Sequence, residues 1–138
     1  DDVARFVGAN TIVAAAEADS DDANYAVLRQ NLRRLRRLRN GRGQPFEVIT
    51  LPMPRPVRFD GMRLPASYLN FYIGNNVVLV PTFNDSQDRH ALATLAKIFS
   101  TREVVGIYAG DLILGLGALH CVTQQQPVGT WSSQGVRC

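Results

Sequence analysis

The chain has few of the residues that mark disulfide-rich or membrane proteins. Cysteine occurs only twice in 138 residues, as Cys121 and Cys138. Two cysteines exclude a disulfide framework, although a single bridge stays open. Unpaired thiols suit a reducing compartment, so we expect a cytoplasmic protein. No apolar run approaches the roughly 18 residues that a membrane-spanning helix needs, so we expect no membrane partner.

Acidic residues are missing from the segment that holds most of the positive charge. The net charge is only +3, yet seven arginines lie between Arg29 and Arg42. We interpret them as the solvated face of a peripheral amphipathic helix. The alternative is a basic surface that binds nucleic acid or acidic membrane, but no aromatic residues are interleaved with the arginines. We therefore predict no nucleic-acid partner, and a steep salt dependence of binding would contradict this.

Metal-ligand and phosphate-binding patterns are also lacking. His120 and Cys121 are adjacent, but no further pair of ligands has the spacing of a zinc site. The glycines of Gly115-Leu116-Gly117 precede a predicted strand rather than a helix, so they do not form a phosphate loop. We expect neither a metal nor an organic cofactor.

No initiator methionine or signal segment precedes Asp1-Asp2-Val3. We expect the chain to be part of a longer protein, so the lack of a targeting peptide is uninformative. With 46% hydrophobic and 20% charged residues, the composition is that of one globular domain.

Apolar runs of strand length alternate with helical patterns, which indicates an α/β fold. Strands are predicted over Asn10–Ala16, Phe46–Leu51, Ser67–Ile73, Val77–Val80, Val104–Tyr108 and Leu119–Thr123. The turn residues Gly74-Asn75-Asn76 predict a hairpin between two of these strands. The later part of the chain therefore has the order β, β, α, β, and we interpret the earlier strand-helix-strand part as an incomplete copy of it.

Two helices are predicted from apolar residues that recur every three or four positions. The first covers about Ala23–Leu38, with Asp21 or Asp22 as its cap. The second follows Asp85, as its cap, and continues to about Phe99.

Cys121 lies in the segment best suited to chemistry. Two glycines, Gly115 and Gly117, precede it and let the backbone approach a ligand closely. A thiol in such a loop can act as a nucleophile. The alternative is a small buried apolar residue, because free cysteine is among the most buried residue types.

Four motifs in a fixed order carry a family resemblance. They are Asp1–Val7, Leu64–Ile73, Val80–Asp85 and His120–Pro127. Together they resemble the C-terminal part of the agmatine deiminases, in the bacterial-type peptidylarginine deiminase superfamily. The resemblance covers residues 1–127 and leaves 128–138 as a tail. It implies part of a pentein β/α propeller, with about two of its five ββαβ-type units in this chain.

The resemblance also implies an activity, the hydrolysis of agmatine to N-carbamoylputrescine and ammonia, with peptidylarginine as the second candidate substrate. Cys121 would be the nucleophile that forms an amidino-thioether. Asp1 would hold the guanidinium through two parallel hydrogen bonds. Asn70 would be a polar group near the thiol, and Gly115 and Gly117 would allow close approach of the substrate.

The histidine that shuttles protons in the family would lie just before Asp1, and this chain lacks it there. His120 is predicted to point away from Cys121, because successive strand side chains alternate. His90 is predicted to be a partly exposed helix residue. We therefore expect the chain to need a missing N-terminal portion as its partner for activity. Homo-oligomer formation through exposed strand edges and a non-catalytic module with a basic binding helix are the alternatives.

Overall fold

The computed structural model describes residues 1–126 and begins with a three-stranded sheet. Strand β1 (Ala4–Phe6) pairs antiparallel with the central strand β2 (Thr11–Ala16). Strand β3 (Glu47–Pro52) pairs parallel with β2 on its other side. Helix α1 (Tyr25–Leu35) makes the crossover between β2 and β3 and packs on β2. The predicted tail, 128–138, lies outside the described residues.

A second sheet of the same order follows a short hairpin. The hairpin consists of β4 (Arg58–Phe59) and β5 (Met62–Arg63). In the second sheet, β6 (Tyr72–Ile73) is antiparallel to β7 (Val77–Thr82), which is parallel to β8 (Glu103–Tyr108). Its crossover helix is α2 (Asp88–Ile98).

Both units therefore have the order β, β, α, β, and this confirms the α/β class. The predicted hairpin at Gly74-Asn75-Asn76 is confirmed as the link between β6 and β7. The interpretation of the first unit as an incomplete copy is wrong, because β1 supplies the strand that seemed to be missing.

The two units share one core. Helix α2 contacts β3 of the first unit as well as β8 of its own. The buried side chains at the centre come from both units, and they include Val13, Leu28, Leu51, Phe71, Val78 and Leu95. A smaller cluster lies beneath the segment that leads to Cys121, and its members are Leu64, Ala66, Ala109, Ile113 and Ala118. This second cluster fixes the backbone before the cysteine.

Two predicted strands are wrong, and both lie near the cysteine. Of Ser67–Ile73 only the last two residues form a strand, and Leu119–Thr123 is a turn. In the first segment the Ser67 hydroxyl accepts the Leu69 N–H at 3.2 Å, and the Ser67 carbonyl accepts the Asn70 N–H at 3.2 Å. Local bonds of this kind compete with a strand ladder and bend the chain instead.

The helix caps predicted at Asp21, Asp22 and Asp85 are also wrong. Asn24 precedes α1 and Gln87 precedes α2, and neither makes a side-chain cap bond. Asp22 accepts the backbone N–H of Asn24 at 2.7 Å, and Asp85 accepts that of Gln87 at 2.8 Å. Each carboxylate therefore orders the turn that leads into its helix.

The arginines of the segment from Arg29 to Arg42 are all exposed, as the solvated-face interpretation requires, but α1 ends at Leu35, so only Arg29, Arg33 and Arg34 lie on the helix. Within residues 1–126, none of these seven side chains forms an ion pair. Among the same residues, no helix is both long and apolar enough to cross a membrane.

An ion pair between Asp22 and Arg63 links the start of α1 to β5, and it gives a pH-dependent stability. Arg63 Nη1 lies 2.8 and 2.9 Å from the two carboxylate oxygens of Asp22, whose side chain is 8% exposed. This hydrogen bond lowers the pKa of Asp22. The stabilisation is therefore complete above the unfolded-state pKa of about 3.9 and is lost as the pH falls through the lower folded-state pKa.

We expect Asp22→Asn to lower the free energy of unfolding by about 2 kcal/mol at neutral pH, because a buried charge-assisted bond is lost. Urea unfolding as a function of pH measures this, with the exposed neighbour Asp21 changed to Asn as the control. The difference between wild type and Asp22→Asn should shrink below about pH 4. A difference that stays constant to about pH 2 would contradict the assigned ion pair.

Candidate active site

The carboxamide of Asn70 joins the three segments of the candidate site. This side chain is fully buried, at 0% exposure, in the turn before β6. Its Oδ1 accepts the backbone N–H groups of His120 at 2.9 Å and Cys121 at 3.3 Å. Its Nδ2 lies 3.0 Å from Cys121 Sγ, 2.7 Å from Asp2 Oδ1 and 3.4 Å from Asp1 Oδ2.

The orientation of this amide follows from its neighbours. Oδ1 faces two N–H groups, which can only donate, and Nδ2 faces carboxylate and sulfur atoms, which accept. A flipped Asn70 would place N–H against N–H on one side and oxygen against carboxylate on the other. The hydrogen-bond network therefore fixes which end of the amide points at the thiol.

Cys121 is exposed, so the buried-residue alternative for it is wrong. Its Sγ meets the Asn70 amide and lies 3.9 Å from Asp1 Oδ2. The chain therefore presents a solvent-accessible thiol beside a carboxylate. The exposure is what a reactive cysteine requires, whereas the carboxylate beside it would by itself disfavour the thiolate.

The predicted orientation of His120 is wrong. Because residues 119–123 form a turn, the strand alternation that would have turned this ring away from Cys121 does not apply. Its Nδ1 contacts Asp1 Oδ2, so the imidazole lies on the same side as the thiol. Burial, and after it the positive charge of Arg5, lowers the pKa of His120. His90 is exposed on α2, as predicted.

Sequence analysis missed Arg5, which holds the backbone on either side of Asn70. Its guanidinium donates to the carbonyl of Leu69 at 3.2 Å and to that of Phe71. It also lies over the Phe71 ring, 4.2 Å from the centroid. Burial lowers the pKa of Arg5, and the nearby charge of Asp2 opposes this shift. A charged residue within the motif Asp1–Val7 is the only signal that the sequence offers.

The two glycines of the predicted site differ in their surroundings. A Cβ on Gly117 would lie 2.7 Å from Cys121 Cβ and 3.0 Å from its Sγ. Gly115 ends a short 3₁₀ helix, Leu112–Gly115, and a Cβ there would meet nothing within 4 Å among residues 1–126. Leu116 between them has a φ of 63°, a left-handed conformation that is uncommon for a residue with a side chain.

This difference gives a matched pair of substitutions. We expect Gly117→Ala to slow the alkylation of Cys121 by iodoacetamide about tenfold, because the added methyl group displaces the cysteine side chain from the Asn70 amide. Gly115→Ala should leave the rate within about twofold of wild type, since its site is open. Both rates are measured with Cys138→Ser, so that Cys121 is the sole thiol. Equal rates in the two variants would contradict the geometry of this turn.

A comparison with known protein families shows to which family the chain belongs. The model of the family described as Porphyromonas-type peptidyl-arginine deiminase matches residues 1–127, which include every candidate site residue. The chain belongs to this family. The resemblance inferred from the four motifs is thereby confirmed.

Relatives of known sequence and structure agree with this membership. A Legionella pneumophila (strain Paris) protein named "Putative agmatine deiminase" is 36% identical over 128 residues, which cover 92% of this chain. The crystal structure of a "putative arginine deiminase" from Porphyromonas gingivalis is 42% identical, with a TM-score of 0.88 over 91% of this chain. The agmatine deiminase of Enterococcus faecalis is 26% identical, with a TM-score of 0.85 over 91% of this chain.

The match covers only part of each relative. The chain spans 37% of the Legionella protein, 37% of the Porphyromonas chain and 39% of the Enterococcus chain.

A further similar structure is that of a cysteine-to-serine variant of the C. jejuni agmatine deiminase with substrate bound. It is 29% identical, with a TM-score of 0.73 over 86% of this chain.

Proposed function

We propose that this chain carries the nucleophile and the guanidinium-binding carboxylate of an agmatine deiminase. The reaction is cysteine-dependent hydrolysis of a guanidino C–N bond, which converts agmatine and water to N-carbamoylputrescine and ammonia. One observation carries the proposal: the exposed thiol of Cys121 stands 3.9 Å from a carboxylate oxygen of Asp1, beside the buried amide of Asn70.

Each group answers a requirement of the chemistry. A guanidinium is planar and always charged near neutral pH, and a carboxylate binds it through two parallel hydrogen bonds. With its guanidinium on Asp1, a substrate would bring its central carbon next to Sγ. Attack by the thiolate forms a C–S bond, and the breaking C–N bond releases ammonia once the nitrogen is protonated. Water then cleaves the thioether, which yields the ureido product and restores the thiol.

The proton transfers need a general acid and base, normally a histidine. The family resemblance places that histidine just before Asp1. We propose that it comes from the remaining part of a deiminase, and that His120 fixes the Asp1 carboxylate instead, as their contact suggests. In the same proposal, the two ββαβ units are two of the five units of a pentein propeller, and the active site forms where the units meet.

We favour agmatine over peptidylarginine as the proposed substrate because of the names of the relatives. The family takes its description from a peptidyl-arginine deiminase, but several relatives at 33–37% identity carry agmatine deiminase names. The residues that bind the end of the substrate opposite its guanidinium determine whether agmatine or peptidylarginine is accepted.

A chimaera tests the proposal. Residues 1–127 of this chain would replace the matching portion of the Enterococcus faecalis agmatine deiminase, and ammonia release would be measured with agmatine, arginine and a blocked arginine peptide. We expect release from agmatine above the other two. Preference for the peptide would replace agmatine with peptidylarginine as the substrate.

Folding of the chimaera needs its own control. Circular dichroism reports the fold, and protection of Cys121 from iodoacetamide by agmatine reports binding independently of turnover. A folded chimaera that releases no ammonia from any of the three compounds would overturn the catalytic proposal.

A further inference from the structure

Asp2 has a carboxylate that none of the steps above uses. Its Oδ1 lies 2.7 Å from Asn70 Nδ2, which is the shortest of the three contacts of that nitrogen. Its backbone carbonyl accepts the Ser67 hydroxyl at 2.8 Å, which holds residue 2 in place. The carboxylate therefore meets the amide from a fixed position.

Counting donors shows what this contact does. The Asn70 amide has two N–H groups, but three acceptors surround its nitrogen. Asp2 is the nearest acceptor and takes one N–H. The other N–H then points between Cys121 Sγ at 3.0 Å and Asp1 Oδ2 at 3.4 Å. The planar amide cannot turn without breaking the bond to Asp2.

We propose that Asp2 is a positioning residue for Cys121, acting through Asn70. Its carboxylate holds the carboxamide so that one N–H donates to Sγ and favours the thiolate form of the nucleophile. The inference rests on the proposed function only in taking Cys121 as the reacting group, and it is tested without turnover.

A simple electrostatic role for Asp2 predicts the opposite sign. A negative charge near a thiol disfavours the thiolate, so removing it should speed the reaction of Cys121 with an alkylating agent. Loss of the hydrogen bond from Asn70 should slow that reaction. Two substitutions separate the effects, because Asp2→Asn removes the charge but keeps an acceptor oxygen, whereas Asp2→Ala removes both.

The experiment uses the 138-residue chain with Cys138→Ser and follows alkylation of Cys121 by iodoacetamide from about pH 6 to 9. We expect Asp2→Ala to react about tenfold more slowly than wild type near pH 7, since a hydrogen bond to a charged group is lost. Asp2→Asn should react at the wild-type rate or faster. If Asp2→Ala reacts as fast as Asp2→Asn, Asp2 is only a nearby charge and the inference is wrong.

A double-mutant cycle tests whether the effect passes through the amide. In an Asn70→Ala background, Asp2→Ala should no longer slow the reaction. A tenfold slowing that persists in that background would also overturn the inference. Circular dichroism checks folding. If Asp2→Ala does not fold, Asp2→Ser, whose hydroxyl is one bond closer to the backbone than the carboxylate oxygens, takes its place. If this pattern holds while the chimaera releases no ammonia, the positioning role stands and only the deiminase proposal fails.

Discussion

Replacement of Cys121 by serine is expected to lower kcat for agmatine in the chimaera by at least about a thousandfold. The guanidinium carbon is a weak electrophile, and a thiolate attacks it far better than a hydroxyl. A serine at this position would receive an N–H from Asn70, and its other neighbour is the Asp1 carboxylate. In the proposed complex that carboxylate is engaged by the guanidinium. The hydroxyl would therefore have neither a free Asp1 carboxylate to activate it nor the acidity of a thiol.

Binding should survive this change, because the thiol is not what holds the substrate. We expect the Kd of agmatine for Cys121→Ser to stay within about tenfold of the wild-type KM, as measured by calorimetry. Asp19→Asn, which changes an exposed carboxylate outside the site, serves as the control and should retain full activity. Ammonia release by Cys121→Ser near the wild-type rate would mean that another group is the nucleophile.

The six-residue strands of both sheets could be predicted because their pattern is local. Strands β2, β3, β7 and β8 each contain six residues, and the apolar side chains of β2 and β7 are largely buried. Short apolar runs bounded by turn residues identify such strands without knowledge of the rest of the chain. Strand β1, with three residues and a partly exposed pattern, gives no comparable signal.

The residues of the candidate site could be predicted from the sequence, but the geometry of the site could not. Cys121, Asp1 and Asn70 follow from motifs, but the bonds between Asn70 and Cys121 span 51 positions of sequence. These bonds replace the strand ladder that the pattern of residues 119–123 favoured. Once the strand prediction failed, the orientation inferred for His120 failed with it.

The roles of Asp2 and Arg5 depend on contacts that are equally remote. Asp2 meets Asn70 across 68 positions, and Arg5 reaches the Leu69 carbonyl across 64. Neither the periodicity nor the spacing of residues within a short stretch of sequence indicates contacts between residues so far apart. The only available indication was that both are charged residues within the motif Asp1–Val7, and charge alone does not say which group each one meets.

Replacement of Asp1 by asparagine is expected to lower kcat/KM for agmatine about a hundredfold, which corresponds to about 3 kcal/mol. The side-chain contacts of Asp1 within residues 1–126 all involve Oδ2, which faces His120, Asn70 and Cys121. The other oxygen is therefore available to a guanidinium, and the pair of oxygens can hold its two parallel N–H groups. Asparagine offers one acceptor oxygen and no charge. The substitution therefore weakens the binding of the guanidinium and no longer orients its central carbon toward Sγ. Initial rates of ammonia release in the chimaera measure the effect.

A comparison of two inhibitors shows whether Asp1 recognises the planar guanidinium or only its charge. Putrescine presents an ammonium, which makes no bidentate pair, whereas an alkylguanidine without the second amine presents the planar fork. Asp1→Asn should weaken inhibition by the alkylguanidine at least about tenfold more than inhibition by putrescine. Asp19→Asn, which changes an exposed carboxylate outside the site, is the control and should weaken neither. If inhibition by the two compounds weakens equally, Asp1 attracts cations in general and does not recognise the planar guanidinium. The guanidinium would then need a different partner.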